Sequence, residues 1–194
     1  MEQPPELLLS DEELVIMTLE DTQHFGVLIE RYEKKLTRYV NRLGVRNVDD
    51  QLDVMQEIFL KVYKNLNGFD TKLSFSSWVY RIAHNEAISL YRKTSVRPEG
   101  HLVTDSDDIV TLLSGKEETA DVTFDKTVNA KEVNAALNKL DKKYCEVLIL
   151  RFFEHKEYDE ISDILKIPVG SVGTLIHRGK KKLADVLNQE ALRI

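Results

Sequence analysis

The sequence predicts an all-α protein made of two small helical domains joined by an acidic tether. Three observations predict it. Apolar residues recur at spacings of three and four along most of the chain. That periodicity breaks off once, between about residues 94 and 126, and then resumes. Glycine and proline, 8 and 4 among 194 residues, are too few for the many tight turns of a β-rich fold.

The elements follow in order. Residues 1–10, with Pro4 and Pro5, read as a loose tail. Ser10, Asp11, Glu12 and Glu13 form a capping-box pattern, Ser at the N-cap and Glu at N3, opening a short helix to about Leu19. Asp21 is a second N-cap. After it Phe25, Leu28, Ile29, Tyr32, Leu36, Tyr39, Val40 and Leu43 line one face, which Gly44 stops. Asn47 begins a third helix with Leu52, Met55, Phe59, Val62 and Leu66 expected inward, closed by Gly68. The polar loop 70–74 leads to a fourth helix, about 75–93, whose expected core face is Phe75, Val79, Ile82, Ala83 and Leu90.

From 94 to 126 Ser, Thr, Pro98 and acidic residues predominate, which marks a linker. Periodicity returns near Val128. Val133, Leu137 and Leu140 mark one helix, and Asp141 caps another bearing Tyr144, Val147, Leu148 and Phe152. Residues 158–187 then read as a short helix, a tight turn and a longer helix. The expected organisation is a tail (1–10), a first domain (11–93), the linker (94–126) and a second domain (127–194).

A hydrophobic content of 42% with 31% charged residues fits a soluble globular protein. The single Cys145 excludes an intramolecular disulfide and suits a reducing cytosol. The acidic N-terminus does not resemble a signal peptide, and no apolar run approaches the roughly 20 residues of a membrane span. A cytoplasmic protein without membrane insertion is expected.

Residues 158–187 form a helix-turn-helix pattern, whose second helix can enter the major groove of DNA. Val172, Ile176, Gly179, Leu183, Val186 and Leu187 fall on one side; Ser171, Thr174, Arg178 and Lys181 or Lys182 fall on the other. Hydroxyls and backbone N–H groups at a helix start can hold phosphate, and an Arg one turn on can reach a guanine edge or a phosphate. Pro168 suits the first turn, while Lys166 occupies a turn position where a left-handed conformation is common. The net charge of -6 is unusual for a DNA binder, but it is segregated. Residues 170–183 hold four cations (Arg178, Lys180, Lys181, Lys182) and no acid, whereas 94–127 hold eight acids against Arg97, Lys116 and Lys126. A solvated lysine face on an ordinary amphipathic helix is the competing reading of that helix.

Two stretches together resemble the bacterial RNA polymerase sigma factors of the sigma-70 family, specifically the small two-domain extracytoplasmic-function type. Residues 53–93, with Phe75-x-x-Trp78-x-x-Arg81-Ile82-Ala83-x-Asn85, resemble sigma region 2, and residues 137–183 resemble region 4. The resemblance implies core RNA polymerase and promoter DNA as partners. Asp53, Gln56 and Glu57, on one helix face at i, i+3 and i+4, would dock on the β′ coiled coil, and region 4 would meet the β flap. Asp70, Lys72, Ser74, Trp78, Tyr80, Arg81, Asn85 and Arg92 would hold the melted −10 element; aromatic stacking and side-chain hydrogen bonds are how single strands are held. The competing reading of Trp78 is a core residue, and a ring partly packed and partly exposed is a third. Ser171, Thr174, Arg178 and Lys181 would hold the −35 element. Gly173 and Leu175 stand where the family commonly has basic residues, which implies fewer contacts there. The family also implies an anti-sigma partner. The acidic linker reads either as a mimic of nucleic-acid charge or as a plain tether.

No enzyme motif competes. There is no Glu-x-x-His tetrad, no P-loop, no Gly-rich dinucleotide turn and no His-Glu-x-x-His; His84 and His155 begin His-x-Glu triplets with no Cys-x-x-Cys. No catalytic residue, metal or cofactor is expected. A stand-alone helix-turn-helix transcriptional regulator is the alternative, but it has no use for Trp78, Arg81 and Asn85 around a polar loop.

Overall fold

The computed structural model describes residues 9–94 and 130–191. They form two compact units, and among the described residues every regular element is helical. The tail before residue 9 and nearly all of the expected linker lie outside the described residues. Among the described residues no helix is long and apolar enough to cross a membrane.

In the first unit α1 (Asp11–Glu20) carries the expected capping box: Glu13 N–H donates to Ser10 Oγ at 3.1 Å, and Ser10 N–H to Glu13 Oε2 at 2.8 Å. Asp21 caps only a three-residue 3-10 turn, Thr22–His24, before α2 (Phe25–Arg42). Along α2 the predicted stripe of Leu28, Tyr32, Leu36, Tyr39 and Val40 is buried. The helix ends in a Schellman motif. Val45 N–H donates to the Val40 carbonyl and Gly44 N–H to that of Asn41, with Gly44 at φ 104.

Asn47 caps α3 (Val48–Asn65), its Oδ1 accepting from Asp49 N–H and Asp50 N–H. The buried face differs from the predicted one. Val54, Met55, Ile58 and Val62 point inward, while Leu52 is 57% exposed and Phe59 is half-buried. Both sides of α3 carry apolar residues, so periodicity alone could not choose between them. Leu66–Gly68 forms a 3-10 turn before the loop that leads to α4 (Phe75–Thr94). On α4, Phe75, Val79 and Ala83 are buried as expected, Ile82 and Leu90 only partly, and Tyr80 and Ala87 join the core. An ion pair, Lys61 Nζ to Glu86 Oε1 at 2.6 Å, ties α3 to α4.

The second unit comprises α5 (Ala130–Asn138), α6 (Lys142–Leu148), α7 (Tyr158–Leu165) and α8 (Val169–Ala191). Asp141 holds the N-cap position of α6 without a side-chain cap bond. A π-helical turn, Ile149–Phe153, extends α6. The chain reverses at His155, at φ 51, where Arg151 donates to the Lys156 carbonyl at 3.1 Å and pairs with Glu157 at 2.9 Å. Helix α6 packs on α8 at Gly179, which is buried against Leu148 and Tyr144. That contact supplies a reason for a glycine inside a helix, where propensity alone disfavours it.

Candidate nucleic-acid and polymerase interfaces

Three faces carry the residues singled out in the sequence, Tyr80 excepted. On α3 Asp53, Gln56 and Glu57 are all exposed. Beside them run Val48, Leu52 and Leu60, apolar residues that the core does not use. With Gln56 they form a row at four-residue steps, so the acids border an apolar strip on one side of the helix. Periodicity alone assigns Leu52 to the core and does not reveal this strip.

The second face is the loop 70–74 together with α4. The loop is held by its own polar groups. Asp70 Oδ1 accepts from Lys72 N–H at 3.0 Å, the Asp70 carbonyl accepts from Leu73 N–H at 2.9 Å, and Ser74 Oγ accepts from Ser77 N–H at 3.2 Å. Asp70, Lys72 and Ser74 are exposed, and so is Leu73. Along α4, Trp78, Arg81, Asn85 and Arg92 lie at steps of three, four and seven, which puts them on one side of the helix. Asn85 and Arg92 are exposed; Trp78 and Arg81 are half-buried. Trp78 fits the third reading of it: one part packs against Phe69 and Phe75, with ring centroids at 5.1 and 5.7 Å, and the rest meets solvent. Ser89, exposed and between Asn85 and Arg92 on the same side, was not picked out by the sequence.

Tyr80 is a correction. It was expected among the strand contacts, but it is 3% exposed and its ring lies 5.1 Å from that of Tyr39. Two residues on from Trp78, it faces the opposite side of the helix.

The third face is the helix-turn-helix of α7 and α8. The turn contains Lys166 at φ 54, ψ 45, the left-handed conformation expected there, and it is closed by Ser162 Oγ donating to the Ile167 carbonyl at 2.6 Å. Pro168 precedes α8 rather than opening it, and its carbonyl accepts from Ser171 N–H at 2.8 Å. Thr174, Arg178 and Lys181 are exposed on α8 and Ser171 is half-buried, at spacings of three, four and three. Val172, Ile176, Gly179, Leu183 and Leu187 are buried behind them. The four cations of this helix divide. Lys180 lies 5.6 Å from the centroid of Phe152 and Lys182 lies 5.5 Å from that of Tyr144. Arg178 and Lys181 are both exposed.

Gly173 has a neighbour that the sequence did not reveal. A Cβ there would stand 3.3 Å from Tyr158 Cε2. The Tyr158 ring, 39% exposed and 5.4 Å from the Arg151 guanidinium carbon, thus borders the recognition helix where a side chain is missing.

A helical unit bearing an aromatic and polar stripe beside a pinned loop, followed by a helix-turn-helix unit, defines a two-part DNA-binding protein. The Sigma-70 region 2 family matches residues 28–97 and the Sigma-70, region 4 family matches residues 130–183. The ECF RNA polymerase sigma factor SigW of Bacillus subtilis is 33% identical over 172 residues, spanning 86% of this chain and 90% of the relative. The ECF RNA polymerase sigma-E factor of Haemophilus influenzae is 30% identical over 186 residues, spanning 91% and 95%. Among solved structures, CnrH in complex with the cytosolic domain of CnrY is similar in fold, with a TM-score of 0.67 and 23% identity over 92% of this chain and 97% of that one. The chain belongs to the sigma-70 family of RNA polymerase sigma factors, in its extracytoplasmic-function group.

Proposed function

We propose that this sigma factor divides its work among the three faces. The acidic and apolar face of α3, with Asp53, Gln56 and Glu57, docks on the β′ coiled coil of core polymerase. The loop 70–74 and the α4 stripe of Trp78, Arg81, Asn85 and Arg92 open the −10 element and hold the melted strand. Ser171, Thr174, Arg178 and Lys181 hold the −35 duplex, with the second unit seated on the β flap. Residues 11–93 and 127–194 are the two working domains, and 94–126 is the tether between them. Polymerase performs the chemistry, and the sigma factor supplies location and opening.

The observation that carries this reading is the α4 stripe beside the pinned loop. Trp78 presents a partly exposed aromatic ring supported by Phe69 and Phe75, Asn85 has the donor and acceptor needed to read a base edge, and Arg81 and Arg92 lie on the same side. A stand-alone regulator would bind duplex DNA and gain nothing from such a surface. An acidic protein can act at promoters in this way because polymerase brings it there. An anti-sigma protein is a further expected partner; the fold neighbour RpoE of Bartonella quintana was solved with the anti-sigma factor NepR, at 17% identity and a TM-score of 0.62.

The test is Asn85→Ala in reconstituted holoenzyme. Promoter opening, read by permanganate reactivity of unpaired thymines, should fall about tenfold or more while affinity for core stays unchanged. Unchanged opening, or loss of core affinity, would remove this assignment of α4.

A further inference from the structure

The first residue of α4 is held from a distant part of the chain. Phe75 N–H, one of the donors that a helix start leaves without an intrahelical acceptor, donates to Glu12 Oε1 at 2.9 Å across 63 positions of sequence. Glu12 lies in the first turn of α1, outside the stretch 28–97 that matches region 2.

The turn that carries Glu12 is itself fixed. Its neighbour Asp11 pairs with Arg31 of α2 at 2.6 Å and accepts a hydrogen bond from the Tyr32 hydroxyl. Arg31 donates as well to the Leu9 carbonyl at 3.0 Å. Burial pushes the Tyr32 phenol well above its ordinary value, so it remains a donor to that carboxylate. The Tyr32 ring meets the Phe75 ring edge-on at 5.5 Å. The start of α1, the middle of α2 and the start of α4 are therefore locked at one point.

That point adjoins the proposed grip on the melted strand. Ser74, the residue before Phe75, ends the loop 70–74, and its hydroxyl caps the same helix start. Trp78 is one turn further on, with its ring against Phe75. A carboxylate at a helix N-terminus accepts a donor that would otherwise be unsatisfied, and it favours the helix dipole.

We propose that Glu12 is a positioning residue for −10 capture: its carboxylate caps α4 from another helix and fixes the loop and Trp78 in the geometry that receives the unpaired strand. This rests on the −10 assignment of the loop and α4. Glu12 touches no DNA in this scheme and acts through the Phe75 peptide. With Glu12 truncated, Phe75 N–H loses its partner, the first turn of α4 loosens, and Trp78 loses the fixed side of its support. A carboxamide oxygen can accept the same hydrogen bond, so Glu12→Gln should keep the geometry without the charge.

The experiment uses holoenzyme assembled from core polymerase and full-length chain: wild type, Glu12→Ala, Glu12→Gln and Asn85→Ala. The probe is a pool of fork-junction DNA duplexes whose single-stranded overhang is randomised, and affinity for core is measured in parallel. Glu12→Ala should bind the fork pool about five- to tenfold more weakly than wild type, Glu12→Gln should recover most of that loss, and neither should change core affinity. If Asn85→Ala weakens fork binding and Glu12→Ala does not, the role of Glu12 is overturned while the −10 assignment stands. If Asn85→Ala binds the pool as wild type does, the −10 assignment fails and the role of Glu12 falls with it. Equal defects in Glu12→Ala and Glu12→Gln, or a matching loss of core affinity in Glu12→Ala, would also overturn the proposal. The first would show that the hydrogen bond is not what matters, and the second that the whole unit had been disturbed.

Discussion

Gly173→Ala and Gly179→Ala add the same methyl group to the same helix, yet they should move stability in opposite directions. Each glycine costs a helix interior about 1 kcal/mol relative to alanine, so propensity alone predicts an equal gain from either change. The surroundings separate them. At 173 the new Cβ meets one atom, Tyr158 Cε2 at 3.3 Å, on a ring that is 39% exposed and can move aside by a few tenths of an ångström. Most of the gain should survive, about 0.5–1 kcal/mol. At 179 the Cβ meets Leu148 Cδ1 and Cγ, both at 3.3 Å, and Tyr144 Cβ at 3.4 Å. Both neighbours are buried, and a Cβ cannot move without its backbone. Overpacking of this kind costs about 1–3 kcal/mol, which outweighs the propensity gain and leaves a net loss of up to about 2 kcal/mol. Hydrogen exchange of the α8 amides through a series of denaturant concentrations would measure both changes. Trp78, the chain's single tryptophan, reports on the first unit by fluorescence and should not respond. Equal gains in the two variants would refute the close packing of α6 on α8.

Two further outcomes are expected. Arg178→Ala should weaken binding to upstream promoter duplex by about 1–3 kcal/mol if the guanidinium holds a base edge. If it holds a phosphate, the loss should be nearly uniform across sequences and the salt slope should fall by about one; a titration in salt against several duplexes separates these, and no change in either quantity would remove Arg178 from the interface. Burial pushes the Cys145 thiol up to about 12, so at pH 8 an aromatic disulfide reagent should modify the native protein at least about a hundredfold more slowly than the denatured chain. The folded value lies above the unfolded one, so this group's contribution to stability is complete below about pH 9 and is lost as pH rises toward about 12. Native and denatured chains reacting at the same rate would contradict both statements.

The helices and their caps were legible because their signals are local. Ser10 with Glu13, Asn47, Gly44 and the left-handed Lys166 all do in the structure what their residue types allow. What escaped was set by tertiary contacts. Apolar residues on both sides of α3 gave periodicity two answers, and packing against α2 and α4 chose Val54 and Ile58 over Leu52. Tyr80 shares a helix with Trp78 and Asn85, but Tyr39 draws it into the core. The π-turn after α6 and the left-handed His155 have no sequence signature in a Phe- and Glu-rich stretch. The Glu12 cap joins residues too far apart for any local pattern to connect, and Tyr158 beside Gly173 is visible only once α7 and α8 are folded together.

The central claim is that this chain directs core polymerase to promoters. The most direct measurement combines purified core polymerase with the chain and fragmented chromosomal DNA from the same source, and maps the 5′ ends of the transcripts. The account predicts new start sites, absent with core alone, that share a pair of sequence elements near −35 and −10. Transcripts no more localised than those of core alone, or start sites without a shared upstream pair, would contradict it.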